Sequence, residues 1–230
     1  MLSEIFSYSF LVRAFVTGIL VSITASLIGV SLTLRRFSMI GDGLSHVGFG
    51  ALGVAALLGL SPMAITIPVV VLSSVLLLHF SEKASSGGDS AIALLSSSAL
   101  AIGVIAVSLG GVNTDLNAFL FGSILSVSKS DAILSIVLSL ISLLSYTLFY
   151  HQIYITTFDP AFSKATGIRV ERYNLLLSVL TAFVVVIGMR ILGSLLISAL
   201  IIFPAMIAIK LCKPYLETII IRAEAIATMI

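Results

Sequence analysis

Six long apolar stretches recur along the chain, and this repetition limits what it can fold into. Four of them, residues 14–34, 63–80, 91–109 and 132–150, contain no Asp, Glu, Lys or Arg. Each has about the 20 residues that a helix needs to cross roughly 30 Å of hydrocarbon. Only 10% of all residues are charged, against roughly 25% in ordinary soluble domains. We therefore predict an all-α, polytopic transmembrane helical bundle.

The last apolar stretch, residues 175–209, is too long for one span. Its 35 residues would form a rod of roughly 50 Å at ~1.5 Å per residue. We predict a break at Gly188-Met189-Arg190, with the Arg190 guanidinium reaching the lipid headgroups. With the stretch at 37–60, the chain then has about seven to eight spans in a single membrane domain, residues 1–230.

Charge placement predicts the orientation, because cytoplasmic loops are enriched in Lys and Arg. With the N-terminus outside, the outer loops contain three basic residues, Arg13, Lys129 and Arg190. The inner loops then contain eight, namely Arg35, Arg36, Lys83, Lys164, Arg169, Arg172, Lys210 and Lys213. The polar connector 151–173 is cytoplasmic in this arrangement. A net charge of +2 with scattered basic residues does not indicate a nucleic-acid surface.

The first apolar stretch is expected to be a span and not a cleaved signal, since Glu4 precedes it and a basic stretch does not. The opposite terminus looks different from the rest of the chain. Residues 215–230 form a segment of 16 residues that includes Glu217, Arg222 and Glu224. Three charges in so short a segment argue against a lipid-facing span, so we treat it as an atypical short C-terminal segment.

The stretch 37–60 contains two ionisable residues, Asp42 and His46. Four positions apart, they lie on one face of a helix, and Phe49 and Gly53 continue that stripe. A carboxylate beside an imidazole can bind a divalent transition metal, and ionisable groups inside a membrane are usually functional. Alternatively, Asp42 caps the helix and His46 hydrogen-bonds to it in a packed interior. Spacing alone leaves both interpretations open.

Two ligands are too few to close a metal site. A second copy of the chain across a two-fold axis would bring two Asp and two His side chains together and complete four ligands, so we expect a homodimer. Five glycines around the pair would allow close approach between helices; they are Gly41, Gly43, Gly48, Gly50 and Gly53.

Four motifs in this chain resemble those of one family, the permease subunits of zinc and manganese ABC importers. They are GDGLSHVGFGALGVA at 41–55, FLFGSILSV at 119–127, TTFDPAFSKATGI at 156–168 and RILGSLLISALIIFPAMIA at 190–208. The likeness covers residues 22–210, with the motifs in the family's order and spacing. The resemblance implies the ABC importer permease fold, with at least one further full span after Lys213.

The resemblance also implies a function and partners. The chain would be the permease of an ATP-driven importer of divalent transition metals, zinc or manganese, in the plasma or inner membrane of a prokaryote. Asp42 and His46 would contact the transported metal, with no permanently bound cofactor. An extracytoplasmic metal-binding protein would deliver the metal. ATP hydrolysis would belong to a separate ATPase, because this chain contains no G-x-x-x-x-G-K-[ST] loop, and the chain itself would not be an enzyme.

The motif at 156–168 resembles the loop through which such permeases contact their ATPase. The resemblance implies contacts from Phe158, Asp159, Pro160, Phe162 and Gly167. The residues agree, because Asp159-Pro160 is a helix-start signal and Gly167 a stop signal, which predicts a short helix at the membrane surface. Alternatively, the segment is an ordinary solvated connector.

Two other functions remain open from the sequence. A secondary transporter driven by an ion gradient would need no ATPase. An intramembrane metalloenzyme could hold a catalytic zinc with Asp42 and His46, although no H-E-x-x-H motif and no third strong ligand in a neighbouring span support it.

Overall fold

A computed structural model describes residues 9–35, 37, 39–83, 88–110, 122 and 128–211. These residues form nine helices, which we number in chain order: α1 (Ser9–Leu34), α2 (Ile40–Leu57), α3 (Pro62–Lys83), α4 (Gly88–Gly110), α5 (Lys129–Leu148), α6 (Tyr150–Phe158), α7 (Pro160–Ala165), α8 (Val170–Ile191) and α9 (Ser194–Leu211).

Six of the described helices, α1 to α5 and α8, are long and apolar enough to cross a membrane. The apolar part of α9, Leu196–Ala208, is shorter than these spans. The first five predicted spans correspond to α1 to α5, with ends that differ by a few residues. The prediction of an all-α multi-span bundle is therefore confirmed.

Burial separates central helices from peripheral ones. In both α2 and α8, 67% of the most apolar window is buried, against 17% in α4. Because lipid tails are as apolar as the side chains themselves, the peripheral helices leave large apolar residues exposed without cost. Examples are Leu72 and Leu76 on α3, Leu94 and Leu109 on α4, and Leu144 on α5.

The glycines of α2 bring it against α4 at backbone distance. A Cβ at Gly50 would lie 2.6 Å from the carbonyl oxygen of Ala99, and one at Gly53 would lie 2.8 Å from that of Gly103. The predicted close approach is confirmed. Phe49, 2% exposed, packs over Gly103. Phe49 and Gly53 are thus buried against α4 and do not extend the Asp42 and His46 pair as an open stripe.

The long apolar stretch 175–209 breaks as predicted, but at Leu192 and Gly193 and not at residues 188–190. Helix α8 continues through these residues to Ile191, and the chain turns at Leu192 and Gly193. Gly193 has a φ of 89°, a left-handed conformation that glycine adopts without steric cost. Gly188 instead lies inside α8 directly under Ile197 of α9. The turn therefore forms at Gly193, which can adopt the left-handed conformation that the turn requires.

The connector 151–173 is mostly helical. Only Phe149 separates α5 from α6, and α6 buries Ile153 and Thr156. This segment packs into the protein through α6 before it reaches the surface at α7. Residues 119–127, apart from Gly122, and residues 213–230 lie outside the described part of the chain.

Candidate metal path and coupling segment

Helix α2 brings Asp42 and His46 together. Asp42 lies in the first turn of α2, where the helix dipole favours a negative charge, and His46 follows one turn later. The Nε2 atom of His46 lies 3.6 Å from Oδ2 of Asp42. An oxygen and a nitrogen donor therefore stand side by side, at a separation that one metal ion could bridge.

Asp42 and His46 are also the two residues with accessible side chains in an otherwise buried part of α2. From Ile40 to Ala51 every residue is buried except Asp42 and His46. Their side chains are 40% and 20% exposed, respectively. The polar pair is therefore accessible from outside this chain, in a stretch of α2 that is otherwise buried.

The alternative in which Asp42 caps the helix does not describe the carboxylate's contacts. The residue at the N-cap position is Met39, whose side chain makes no capping hydrogen bond. The Asp42 carboxylate lies beside His46 and accepts a hydrogen bond of 3.4 Å from Oγ of Ser198. The other imidazole nitrogen, Nδ1 of His46, is buried without a hydrogen-bond partner among the described residues.

Ser198 is a site residue that sequence reasoning missed. It lies on α9, 156 positions from Asp42, and is 9% exposed. Its single hydroxyl hydrogen is shared between the Asp42 carboxylate and the carbonyl oxygen of Ser194, which lies 3.0 Å from Oγ. The only sequence signal was a pair of serines four residues apart in an apolar helix, which does not specify a partner.

The described part of the chain contains no group of three or more His, Cys, Asp and Glu side chains that could hold a metal ion. The site as one chain builds it has one carboxylate and one imidazole, with the Ser198 hydroxyl behind the carboxylate. Such a set can bind a divalent transition metal weakly and release it. Tight, permanent binding would need further ligands.

The short helix predicted between Asp159-Pro160 and Gly167 is present as α7, with both of its ends capped as the sequence indicated. Oδ1 of Asp159 accepts a hydrogen bond of 2.8 Å from the backbone N–H of Phe162, and Pro160 occupies the first helical position. At the other end, Gly167 has a φ of 83°. Its N–H donates to the carbonyl oxygen of Lys164 at 3.1 Å, and the N–H of Ile168 donates to the carbonyl oxygen of Ser163 at 2.9 Å. This pair of bonds is a Schellman motif.

The five candidate contact residues of this segment differ in exposure. Asp159, Pro160, Phe162 and Gly167 are exposed, and the Phe162 side chain is 58% exposed. Phe158 is instead half-buried and packs on Tyr154, with ring centroids 4.6 Å apart. Phe162 is thus the large apolar side chain that α7 presents at the surface, while Phe158 packs on Val30, Ala205 and Ala208 and anchors the segment to the bundle.

An open cleft of about 620 Å³ lies between the end of α1 and helices α6, α7 and α8. Arg35 lines it and makes hydrogen bonds in three directions. Its Nε donates to Oγ1 of Thr157 at 3.0 Å and one Nη to Oγ1 of Thr156 at 2.8 Å. The other Nη donates to Oδ1 of Asn174 on α8. Sequence reasoning used Arg35 only as a charge that indicates topology and missed these contacts.

A helical membrane bundle with a polar pair on a central helix, and a capped surface helix between two spans, has the features of a transport permease. The family model described as "ABC 3 transport family" matches residues 7–230. The chain therefore belongs to this family, that of the metal-ion ABC transporter permeases that its motifs resemble, and is a multi-pass cell-membrane protein.

Individual relatives agree with this assignment. The chain is 33% identical to the manganese import system permease protein ScaB of Streptococcus gordonii, over 95% of this chain and 78% of that protein. It is 32% identical to the manganese transport system membrane protein MntC of Halalkalibacterium halodurans, over 87% and 69%. It is 26% identical to the high-affinity zinc uptake system membrane protein ZnuB of Haemophilus influenzae, over 90% and 79%.

Solved structures agree as well. The structure of PsaBC from Streptococcus pneumoniae in complex with Fab aligns with a TM-score of 0.83 at 32% identity, over 100% of this chain and 84% of that chain. An inward-facing metal-chelate type ABC transporter aligns with a TM-score of 0.61 at 17% identity. The second likeness concerns the fold alone.

Proposed function

We propose that this chain is the membrane permease of an ATP-driven importer of divalent transition metal ions, zinc or manganese, and that Asp42 and His46 contact the ion on its path. One observation carries the proposal. On the first twelve residues of α2, the acid and the imidazole are the residues that are not buried. Ionisable groups facing lipid are costly, so an exposed pair of this kind favours a passage or a second protein surface.

The metal site would be completed by a second copy of the chain. One chain contributes two strong ligands, and a two-fold axis beside α2 would bring two carboxylates and two imidazoles together. The partial exposure of both side chains on a single chain supports this arrangement. The functional unit proposed is thus a homodimer with the metal path at its centre.

Coupling to ATP would proceed through α7. Exposed Phe162, together with Asp159, Pro160 and Gly167, offers a small rigid surface that fits a separate ATPase, with Phe158 holding it to the bundle. ATP binding and hydrolysis would move α7 and tilt the helices, so that the Asp42 and His46 site opens first outward and then inward. An extracytoplasmic metal-binding protein would supply the ion.

The choice between the two metals is open to experiment. Carboxylate and imidazole ligands suit both zinc and manganese. The relatives are named for both metals, ScaB and MntC for manganese and ZnuB for zinc. Uptake of radioactive zinc and manganese, measured separately in the same vesicles, decides between them.

The test uses proteoliposomes that contain the permease and its ATPase, with the metal-loaded binding protein outside. We expect ATP-dependent uptake that His46→Ala and Asp42→Asn abolish, while both variants still co-purify with the ATPase. His79→Ala is the matched control, because His79 is an exposed imidazole on α3 whose loss should leave uptake unchanged. Normal uptake by His46→Ala would overturn the proposed metal path.

The same preparation separates the two other functions. Uptake without the ATPase, driven by an imposed ion gradient, would indicate a secondary transporter. Metal-stimulated peptide cleavage that requires Asp42 and His46 would indicate a metalloenzyme. Either result would replace the importer proposal.

A further inference from the structure

We propose that Arg35 is a positioning residue that transmits the movement of α7 to α2, which carries Asp42 and His46. The inference rests on the proposed function, because it assigns a coupling role within that transporter. It starts from the hydrogen bonds that Arg35 makes in the cleft with Thr156, Thr157 and Asn174.

The first step is the contact between Arg35 and α6. The guanidinium donates to the hydroxyls of Thr156 and Thr157 at 2.8 and 3.0 Å. These threonines occupy the last turn of α6, directly before Phe158 and the N-cap of α7, Asp159. Arg35 is thus hydrogen-bonded to the helix end from which α7 extends.

The threonine hydroxyls are oriented to receive these bonds. The Thr156 hydroxyl donates to the carbonyl oxygen of Gln152 at 2.8 Å, and the Thr157 hydroxyl donates to that of Ile153 at 2.6 Å. A hydroxyl has one hydrogen and two lone pairs. Since each hydrogen points into α6, each oxygen accepts from the guanidinium, and the donor and acceptor roles fit without conflict.

The second step connects Arg35 to the metal pair. Its backbone N–H donates to Ser31 at 3.2 Å, so Arg35 continues the last turn of α1. Two backbone hydrogen bonds lead on from α1 to α2. The Phe37 N–H donates to the carbonyl oxygen of Leu32 at 2.9 Å, and the Ile40 N–H donates to that of Phe37 at 3.1 Å. A displacement of Arg35 would therefore reach, through the hydrogen bonds of Phe37 and Ile40, the first turn of α2, which contains Asp42.

The third contact, to Asn174 of α8, makes the guanidinium a junction of three elements. An arginine fork can reach acceptors in several directions at once, whereas a lysine ammonium on its flexible stem is a single point. The nearby pair of Lys164 and Glu171, 3.3 Å apart, has side chains 62% and 67% exposed. That pair lies at the surface and joins α7 to α8 alone, so it does not extend to α2.

The test measures metal ions imported per ATP hydrolysed in proteoliposomes with the ATPase and the metal-loaded binding protein. We expect Arg35→Gln to lower this ratio at least about fivefold, the lower range of measured coupling between sites, with the KM for the metal-loaded binding protein unchanged. Arg35→Lys should also lower it. Arg172→Gln is the matched control, because Arg172 is an exposed cation in the first turn of α8, and its ratio should equal that of the wild type.

A second variant keeps the test decisive if Arg35→Gln does not assemble. The double variant, Thr156→Val with Thr157→Val, keeps Arg35 and the side-chain volumes but removes two acceptors, so it should also lower the ratio of metal ions imported per ATP. Thr156→Val with Thr157→Ser keeps one of the two hydroxyl acceptors and should restore part of that ratio. A wild-type ratio in an assembled Arg35→Gln complex, or in the double threonine variant, would overturn the inference. Absence of uptake by the wild-type complex would instead overturn the proposed function, and the inference with it.

Discussion

The Arg190 guanidinium lies 3.1 Å from Oδ2 of Asp131, and this ion pair joins the last turn of α8 to the first turn of α5. Asp131 is 9% exposed, and the same carboxylate oxygen accepts from the backbone N–H of Ser128 at 3.4 Å. The Ser128 hydroxyl in turn accepts from the N–H of Asp131 at 3.1 Å, which completes a capping box. The Arg190 side chain is still 39% exposed, so the ion pair holds it at the protein surface, and its contact with the lipid headgroups stays a prediction.

The contributions of Arg190 and Asp131 to the free energy of unfolding should be coupled. Arg190→Gln and Asp131→Asn should each lower the free energy of unfolding by about 1 kcal/mol, since the pair is only partly buried. Asparagine keeps an acceptor for the cap of α5, so the second variant isolates the ion pair. Because each change breaks the same contact, the double variant should lose less than the two single losses together. Denaturation in detergent measures all three, and strictly additive losses would contradict the pair.

Gly122 should tolerate no side chain. Its φ is 73°, and a Cβ there would lie 2.5 Å from the carbonyl carbon of Leu192 and 2.6 Å from the nitrogen of Gly193. Gly122→Ala would strain its own backbone and push against the turn between α8 and α9. We expect a loss of about 2 kcal/mol or more, measured as a lower thermal midpoint in detergent.

Gly18→Ala is the control for that variant. A Cβ at Gly18 meets nothing within 4 Å, and Gly18 lies in the interior of α1. Alanine should stabilise that helix by about 0.5 to 1 kcal/mol. If Gly122→Ala were as stable as Gly18→Ala, the packing of Gly122 against the α8–α9 turn would be wrong.

Local patterns in the sequence were enough to predict the spans and α7. A span needs only length and the absence of charge, and the ends of α7 are set by Asp159, Pro160 and Gly167, which act within a few residues. The position of the break after α8 was not predicted, because it depends on tertiary contacts. Gly188 and Gly193 are both glycines in an apolar run, and what distinguishes them is tertiary. Ile197 packs on the first, whereas the second takes a left-handed turn over Gly122.

Only part of the site was predicted, because sequence patterns indicate local spacing and not tertiary contacts. Asp42 and His46 share one helix, so their spacing alone places them together. Ser198 and Arg35 act across 156 and more than 100 positions, and a single sequence contains no periodicity that indicates such contacts. α6 was missed because its polar residues resembled a loop, whereas Thr156 bonds within the helix and is 1% exposed.

The cap of α7 should matter for coupling to the ATPase. Asp159→Ala removes the acceptor of the Phe162 N–H, and loss of an N-cap costs about 1 kcal/mol, a large fraction for a helix of 6 residues. We expect weaker co-purification with the ATPase and less metal-stimulated ATP hydrolysis. Asp159→Asn keeps the cap and should retain most of both. Equal loss in the two variants would show that the charge of Asp159, and not the cap, is what the ATPase recognises.

Ser198 should tune the metal site without being essential to the fold. Its hydroxyl donates to the Asp42 carboxylate at 3.4 Å, which is a long bond, so its removal should cost about 0.5 to 1 kcal/mol. Ser198→Ala should therefore raise the KM for metal uptake roughly two- to fivefold, because the carboxylate loses a group that orients it toward His46.

Ser198→Thr keeps the hydroxyl and should stay near the wild type. Ser194→Ala is the matched control one turn earlier on α9, since the Ser194 hydroxyl is buried without a hydrogen-bond partner among the described residues. Removing an unpartnered hydroxyl should leave the KM unchanged and stability equal or higher. If Ser194→Ala raised the KM as much as Ser198→Ala, the effect would belong to the packing of α9, and the contact with Asp42 would have no separate role in holding the metal.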